Sequence, residues 1–146
     1  MSIQIPTPKY EFKHIMPIQM RFNDIDMLGH VNNAVYMEYF DLAKVDYFTQ
    51  FTQGTFDPRK TGMVVASIHC DYYMPVLPGD KISVATAVDS MGTSSLRLEQ
   101  RIIDQKGNTK CIATTTMVNI DPATLRSTPI TDKWRSDISE FEGRNL

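Results

Sequence analysis

The chain has 146 residues, 42% of them hydrophobic and 22% charged, which suits one compact domain and leaves no room for a second. A formal net charge of −2 gives no general attraction to nucleic acid or to an anionic membrane, so neither is expected as a partner. No window approaches the roughly 18 apolar residues of a membrane span, and Met1–Pro8 lacks a basic region followed by an apolar one, so the expected location is cytoplasmic.

Met1–Lys13 is polar and proline-bearing and is expected to be loosely held. From Ile18 to Phe22 apolar Ile18, Met20 and Phe22 alternate with Gln19 and Arg21, the period of a half-buried strand. After Gly29, Asn32 or Asn33 can cap a helix running to about Gln50. Tyr36, Tyr39, Phe40, Ala43 and Tyr47 give that helix a wide apolar face, with Glu38, Asp41 and Lys44 toward water. Phe51–Gly62, rich in Thr, Gly, Pro and charge, reads as a surface loop.

Four strand-like runs follow, Met63–Met74, Lys81–Met91, Ser94–Gln105 and Thr109–Asp121, and the short turns between them predict an antiparallel meander. Ile82, Val84, Thr86 and Val88 share one parity, as do Leu96, Leu98 and Ile102, and then Ile112, Val118 and Ile120, so one sheet face can receive the helix. Beyond Pro122 the chain turns polar. Thr131 is placed to cap a helical tail over about 129–142, whose Trp134, Ile138 and Phe141 would cover an edge. The whole is an α+β layer, a curved antiparallel sheet wrapped around one central helix, with its core over about 15–122. Such a sheet leaves edges open, and a homodimer or homotetramer is the expected way to bury them.

Cys70 and Cys111 are too few for a disulfide framework and read as small buried residues of a reducing compartment. A cysteine nucleophile is disfavoured: no base stands near Cys111, and His69 would point to the opposite strand face from Cys70. Three dispersed histidines and two isolated cysteines show no metal-ligand spacing, so neither metal nor other cofactor is expected.

Arg21 to Asn33 concentrates the chemistry: Asp24, Asp26, His30, Asn32 and Asn33 fall at a strand-to-helix junction, where the first helical N–H groups lack intrahelical acceptors. A carboxylate and asparagines before a helix also make an ordinary cap, the role favoured for Asp24 and Asn32. An ionised Asp26 could take a proton from water, and an Asn33 N–H aligned with the helix dipole could stabilise an oxyanion. His30 could orient water, position Asp26 or protonate a leaving group.

Asp24-Ile25-Asp26, Gly29-His30-Val31-Asn32-Asn33, Tyr36 and Phe40-Asp41-Leu42-Ala43-Lys44 together resemble the signature of hotdog-fold acyl thioesterases. Tyr73-Met74-Pro75-Val76-Leu77-Pro78-Gly79-Asp80 and Met91-Gly92-Thr93-Ser94-Ser95 extend the likeness over about residues 15–122. The similar branches are the 4-hydroxybenzoyl-CoA thioesterase-like acyl-CoA hydrolases and the acyl-acyl-carrier-protein thioesterases. The resemblance implies Asp26 as nucleophile or general base, the Asn33 N–H facing the thioester carbonyl, and His30 in the site. Leu28 departs from the carrier-protein branch, which has an asparagine there. Tyr36 would line the acyl channel or belong to the core. Arg97 and Arg101, with Lys106 and Lys110, could anchor a nucleotide phosphate or form a solvated face, and Arg59 and Lys60 are equally ambiguous. The expected function is hydrolysis of an acyl-CoA. The alternatives are release of acyl chains from acyl carrier protein (acyl-ACP), or non-catalytic acyl-CoA binding on the same scaffold.

Overall fold

A computed structural model describes residues 3–53 and 62–146, so most of the expected loop Phe51–Gly62, with Arg59 and Lys60, lies outside the described residues. Five strands, β1 (His14–Ile18), β2 (Met63–Tyr72), β3 (Ile82–Met91), β4 (Ser95–Ile103) and β5 (Thr109–Asn119), form one antiparallel sheet in the order β1-β3-β4-β5-β2. The sheet curls around helix α1 (Asn33–Thr49) in the hotdog arrangement. No helix among the described residues is long and apolar enough to cross a membrane.

The expected meander holds for β3, β4 and β5, but β2 pairs with β5 at the far edge. The segment 73–81 therefore carries the chain from one side of the sheet to the other. Its prolines, Pro75 and Pro78, suit it to a crossing rather than a ladder. The first strand also lies earlier than its pattern suggests, at His14–Ile18, and Phe22 is 95% exposed. Met20 still packs on the core, so the burial period outlasts the hydrogen-bonded ladder.

Tyr36, Tyr39, Phe40, Ala43 and Tyr47 of α1 are all buried. Lys44 does not face water as expected but is also buried, with its ammonium 3.0 Å from Asp41 Oδ1. It sits one turn beyond Phe40 and so borders the apolar stripe, where its methylene stem packs and its head finds a carboxylate.

In β5 the helix-facing residues are Cys111, Ala113, Thr115 and Met117, opposite Ile102, Gln100, Leu98 and Leu96 of β4. The parity read from Ile112, Val118 and Ile120 is thus inverted. Cross-strand partners share a face, and small side chains on the α1 side hid which face was inner.

The N-terminal segment is not loose from Pro6 to Phe12. It crosses the outer face of the sheet, where Pro6 O accepts from Arg101 Nη1 at 2.6 Å and Tyr10 donates to Asp89 Oδ1 at 3.1 Å. Arg101 lies over the Phe12 ring and Arg144 over that of Tyr10.

The tail forms α2 (Asp132–Glu142), capped by Thr131, whose hydroxyl accepts from Trp134 N. Ile138 is fully buried, and Trp134 stacks on Phe48. The last turn completes the edge of β3 beyond Thr86, where pairing with β1 ends. Glu142 Oε1 accepts from Val88 N at 2.9 Å and Tyr47 OH at 2.6 Å, and Arg144 donates to Val88 O. Glu142→Ala strands two buried donors and is expected to cost about 2–6 kcal/mol, at about 1–3 kcal/mol for each unsatisfied group. Urea unfolding checks this, and a loss below about 1 kcal/mol contradicts it.

Candidate active site

After Met20 the chain turns through a 3₁₀ turn at Phe22–Asp24 and enters the loop before α1. Asp24 fixes this turn. Its Oδ2 accepts from Arg21 N at 2.9 Å, and from Tyr39 OH on α1 at 2.5 Å. Its Oδ1 lies 3.0 Å from Arg21 Nη2, which also reaches Glu38 at 2.7 Å. Asp24 is 2% exposed. Burial alone would raise its pKa, but the hydrogen bonds from Tyr39 and Arg21 and the Arg21 charge outweigh it and hold the carboxyl below its usual range. The Tyr39 hydroxyl is pushed up by burial and by the same carboxylate, so it remains a donor.

Residues 25–31 form a tight reversal. Ile25 bridges Val31, Asp26 N donates to His30 O at 3.1 Å, and Gly29 N donates to Asp26 O at 3.0 Å. Gly29 turns the chain at φ +84, a value that side-chain-bearing residues adopt at a cost. Asp26 Oδ1 accepts from Leu28 N at 2.9 Å, while Oδ2 accepts from Asn32 Nδ2 at 3.2 Å. The carboxylate is half-buried beside the helix cap, and each oxygen retains capacity for a further donor.

Asn32 is the N-cap, its side chain accepting from Ala34 N at 2.9 Å. Asn33 is therefore the first helical residue. Its N–H meets no acceptor among the described residues, and it points with the positive end of the helix dipole. Asn33 opens into a cleft of about 220 Å³ together with His30, Tyr36, Tyr72, Tyr73 and Met74. His30 lines this cleft, and its backbone carbonyl receives the Asp26 N–H.

Tyr36 is both wall and core. It is 2% exposed, its hydroxyl accepts from Val76 N at 3.2 Å, and its ring stands edge-on to Tyr72 at 4.9 Å. Tyr72 donates to Asn33 O at 3.2 Å, and burial pushes its pKa up to about 12, so it stays a phenol. Tyr72 and Tyr73 went unrecognised in the sequence as site residues. Their signal was two adjacent tyrosines at the end of a strand, just ahead of Pro75.

The basic residues do not gather at this cleft. Arg97 and Arg101 lie on the sheet face turned away from α1. Arg101, expected as a phosphate anchor, is buried there by Glu99, Pro6 and Phe12. Arg97 stays exposed. Lys110 is also buried and serves the fold: its ammonium donates to Pro75 O at 3.2 Å and lies 3.5 Å from Asp80 and 3.6 Å from Asp104. Among the described residues no cluster of three or more His, Cys, Asp or Glu could hold a metal ion.

A hotdog sheet around one helix, with a carboxylate and a free amide at that helix's start, defines a class of protein. The chain belongs to the thioesterase-like superfamily, whose family model matches residues 20–138. It is similar to a thioesterase from Thermus thermophilus, solved with coenzyme A and Zn, at 32% identity and a TM-score of 0.78 over 91% of this chain and 97% of that one. It is 24% identical to the acyl-CoA thioester hydrolase YbgC of Escherichia coli O6:H1, over 86% of this chain and 93% of the relative. The long-chain acyl-CoA thioesterase FadM of Escherichia coli K12 is likewise 24% identical, over 85% and 96%.

The depressed Asp24 carboxyl contributes stability that is present above the ordinary carboxylate range and lost as pH falls through its lowered value. Asp24→Asn is expected to lower stability at neutral pH by about 1.5–3 kcal/mol, the usual worth of hydrogen bonds to a charged group. Melting curves of the two proteins should draw together as pH falls below the ordinary carboxylate range, about 4, where the unfolded chain takes up the proton first, and should meet only below the lowered value of the folded state. Parallel curves down to the acid limit contradict the assignment.

Proposed function

We propose that this chain, a thioester hydrolase by family, cleaves an acyl-CoA to the free acid and coenzyme A, with Asp26 as its principal catalytic group. The observation that supports the reading is the Asp26 carboxylate held by the side chain of the Asn32 N-cap, one residue before Asn33. The Asn33 N–H meets no acceptor among the described residues, and Asn33 lines the cleft with His30, while Asp26 itself lies outside the cleft lining. A thioester carbonyl pointing at that N–H develops negative charge on oxygen as the carbon is attacked, and the amide and helix dipole stabilise it. One such donor is typically worth about 3 kcal/mol of barrier.

Asp26 can act in either of two ways. As general base it removes a proton from water, whose oxygen bonds to the carbonyl carbon; collapse of the tetrahedral intermediate then breaks the C–S bond and expels the thiolate. As nucleophile it forms a mixed anhydride with release of the thiolate, and water cleaves the anhydride to restore the carboxylate. In both, the thiolate leaves as thiol once protonated, and His30, which lines the cleft, is the residue suited to guide that proton. Leu28 offers only its backbone N–H to Asp26, so a mechanism that needs a side-chain amide at that position is disfavoured. The acyl-CoA thioesterases among the relatives favour coenzyme A over acyl carrier protein as the carrier.

Asp26→Asn is expected to lower thiol release from an accepted acyl-CoA by about 10²–10⁴-fold, the usual contribution of a positioned base. The amide oxygen can still accept from Leu28 N, but the new NH2 faces the Asn32 NH2, so a stability loss of about 1 kcal/mol is expected, far too small to account for such a drop in turnover. Retained turnover sinks the catalytic role. Tight acyl-CoA binding with no thiol release by the wild type would instead make this a binding protein, and faster turnover of the same acyl group on acyl carrier protein would reassign the carrier.

A second copy of the chain is the proposed cover for β2. A bulge at Val65–Ser67 puts Val65, Ile68, Cys70 and Tyr72 on the α1 side, opposite Met117, Thr115, Ala113 and Cys111. Val65 is nonetheless 48% exposed and Ile68 41%, and Leu42 and Val45 of α1 are exposed as well. An unpaired edge flanked by apolar side chains suits two-fold pairing with itself. Light scattering should return at least twice the monomer mass of 16.6 kDa. Ile68→Lys should shift the protein to monomer, and a monomeric wild type contradicts the pairing.

A further inference from the structure

Tyr72 is the last residue of the edge strand and the one that reaches from it to the helix N-terminus. Its hydroxyl bonds the carbonyl of Asn33, the same residue whose N–H is free in the cleft, so the phenol stands within one residue's length of the amide. Its ring, 43% exposed, is braced from behind by Tyr36, which is itself held by Val76 N. Past Tyr72 on the same sheet face the side chains become small: Cys111 lies opposite it, and Cys70 opposite Ala113. These small residues pack with Tyr36, Tyr39 and Phe40 in the core, so the Tyr72 ring is a wall between the cleft and a filled layer.

We propose that Tyr72 is a specificity-determining residue that limits the length of the acyl group; this rests on the thioesterase reading above. With the carbonyl oxygen on the Asn33 N–H, the first carbons of the acyl chain meet the Tyr72 ring. A short acyl group fits in front of it. A long straight chain needs the space that the ring fills, and it is rejected by contact rather than by loss of a polar interaction. The ring is the wall, and the hydroxyl serves to pin it to the helix.

The test is kcat/KM for butyryl-CoA and dodecanoyl-CoA with wild type, Tyr72→Ala, Tyr72→Leu and Tyr72→Phe. In the Ala and Leu proteins the ratio of dodecanoyl to butyryl turnover should rise at least about tenfold, the discrimination that a pocket wall ordinarily carries. Tyr72→Phe keeps the ring and should stay within about twofold of the wild-type ratio, even if its absolute rate changes. Should the alanine protein fail to fold, the leucine protein, which keeps bulk on the strand, decides alone. Equal loss on both substrates marks a structural residue and overturns the inference while leaving the thioesterase reading intact. So does a phenylalanine variant that shifts as far as leucine. A wild type that hydrolyses no acyl-CoA overturns both.

Discussion

The carboxylate of Asp24 is taken out of water between the loop that carries Asp26 and the helix that carries Asn33, and it holds the two together. Removing an ionised carboxylate from water is costly unless donors replace the lost hydration. Here Tyr39 supplies one from the helix, and Arg21 supplies its amide and guanidinium from the loop. The Asp24 carbonyl then accepts from Asn32 N at 2.9 Å, so the residue that stabilises the turn also seats the N-cap. Position along the chain separates the two aspartates by only one residue, yet their environments assign them opposite tasks. Asp24 spends its acceptors on protein donors. Asp26 accepts from only two protein donors and keeps capacity for a further one.

A second anchor works from the other side of the cleft. Lys110, buried among Asp80, Asp104 and Pro75 O, fixes the segment that crosses from β2 to β3. Val76 in that segment donates to Tyr36 OH and accepts from Val31 N at 2.9 Å, so the crossing chain holds both the cleft wall and the residue after His30. The site is therefore assembled from three stretches distant in sequence, each tied to the next by buried hydrogen bonds. Such a frame fixes the orientation of the Asn33 amide, and in the proposed reaction that preorganisation is where electrostatic stabilisation would gain its strength.

Much of this was legible in the residue pattern, and the exceptions share a cause. The helix, its aromatic face, the cap region and four of the five strands follow from spacing and turn residues alone. The first strand was displaced because Met20 stays buried after the ladder has ended. The inner face of β5 was misread because Cys111, Ala113 and Thr115 are less conspicuous than Ile112 and Val118. Lys44 and Lys110 looked solvated, since composition does not reveal which cation will find buried carboxylates. At the site, one contiguous segment supplied Asp26, His30 and Asn33, whereas Tyr72 joins it only through the pairing of β2 with β5. Arg101 was drawn toward the substrate by its charge. Its true surroundings, Glu99, Pro6 and Phe12, depend on an N-terminal strap that no local pattern signals.

The central claim is geometric: a thioester carbonyl is received by the first amide of α1, with the Asp26 position beside the reacting carbon. A crystal structure of the Asp26→Asn protein soaked with an accepted acyl-CoA tests it directly. The account predicts the thioester oxygen about 2.7–3.1 Å from Asn33 N, with the side chain of residue 26 on the open side of the carbonyl carbon. An intact acyl-CoA bound with its carbonyl turned away from Asn33, or lodged outside this cleft, would contradict it.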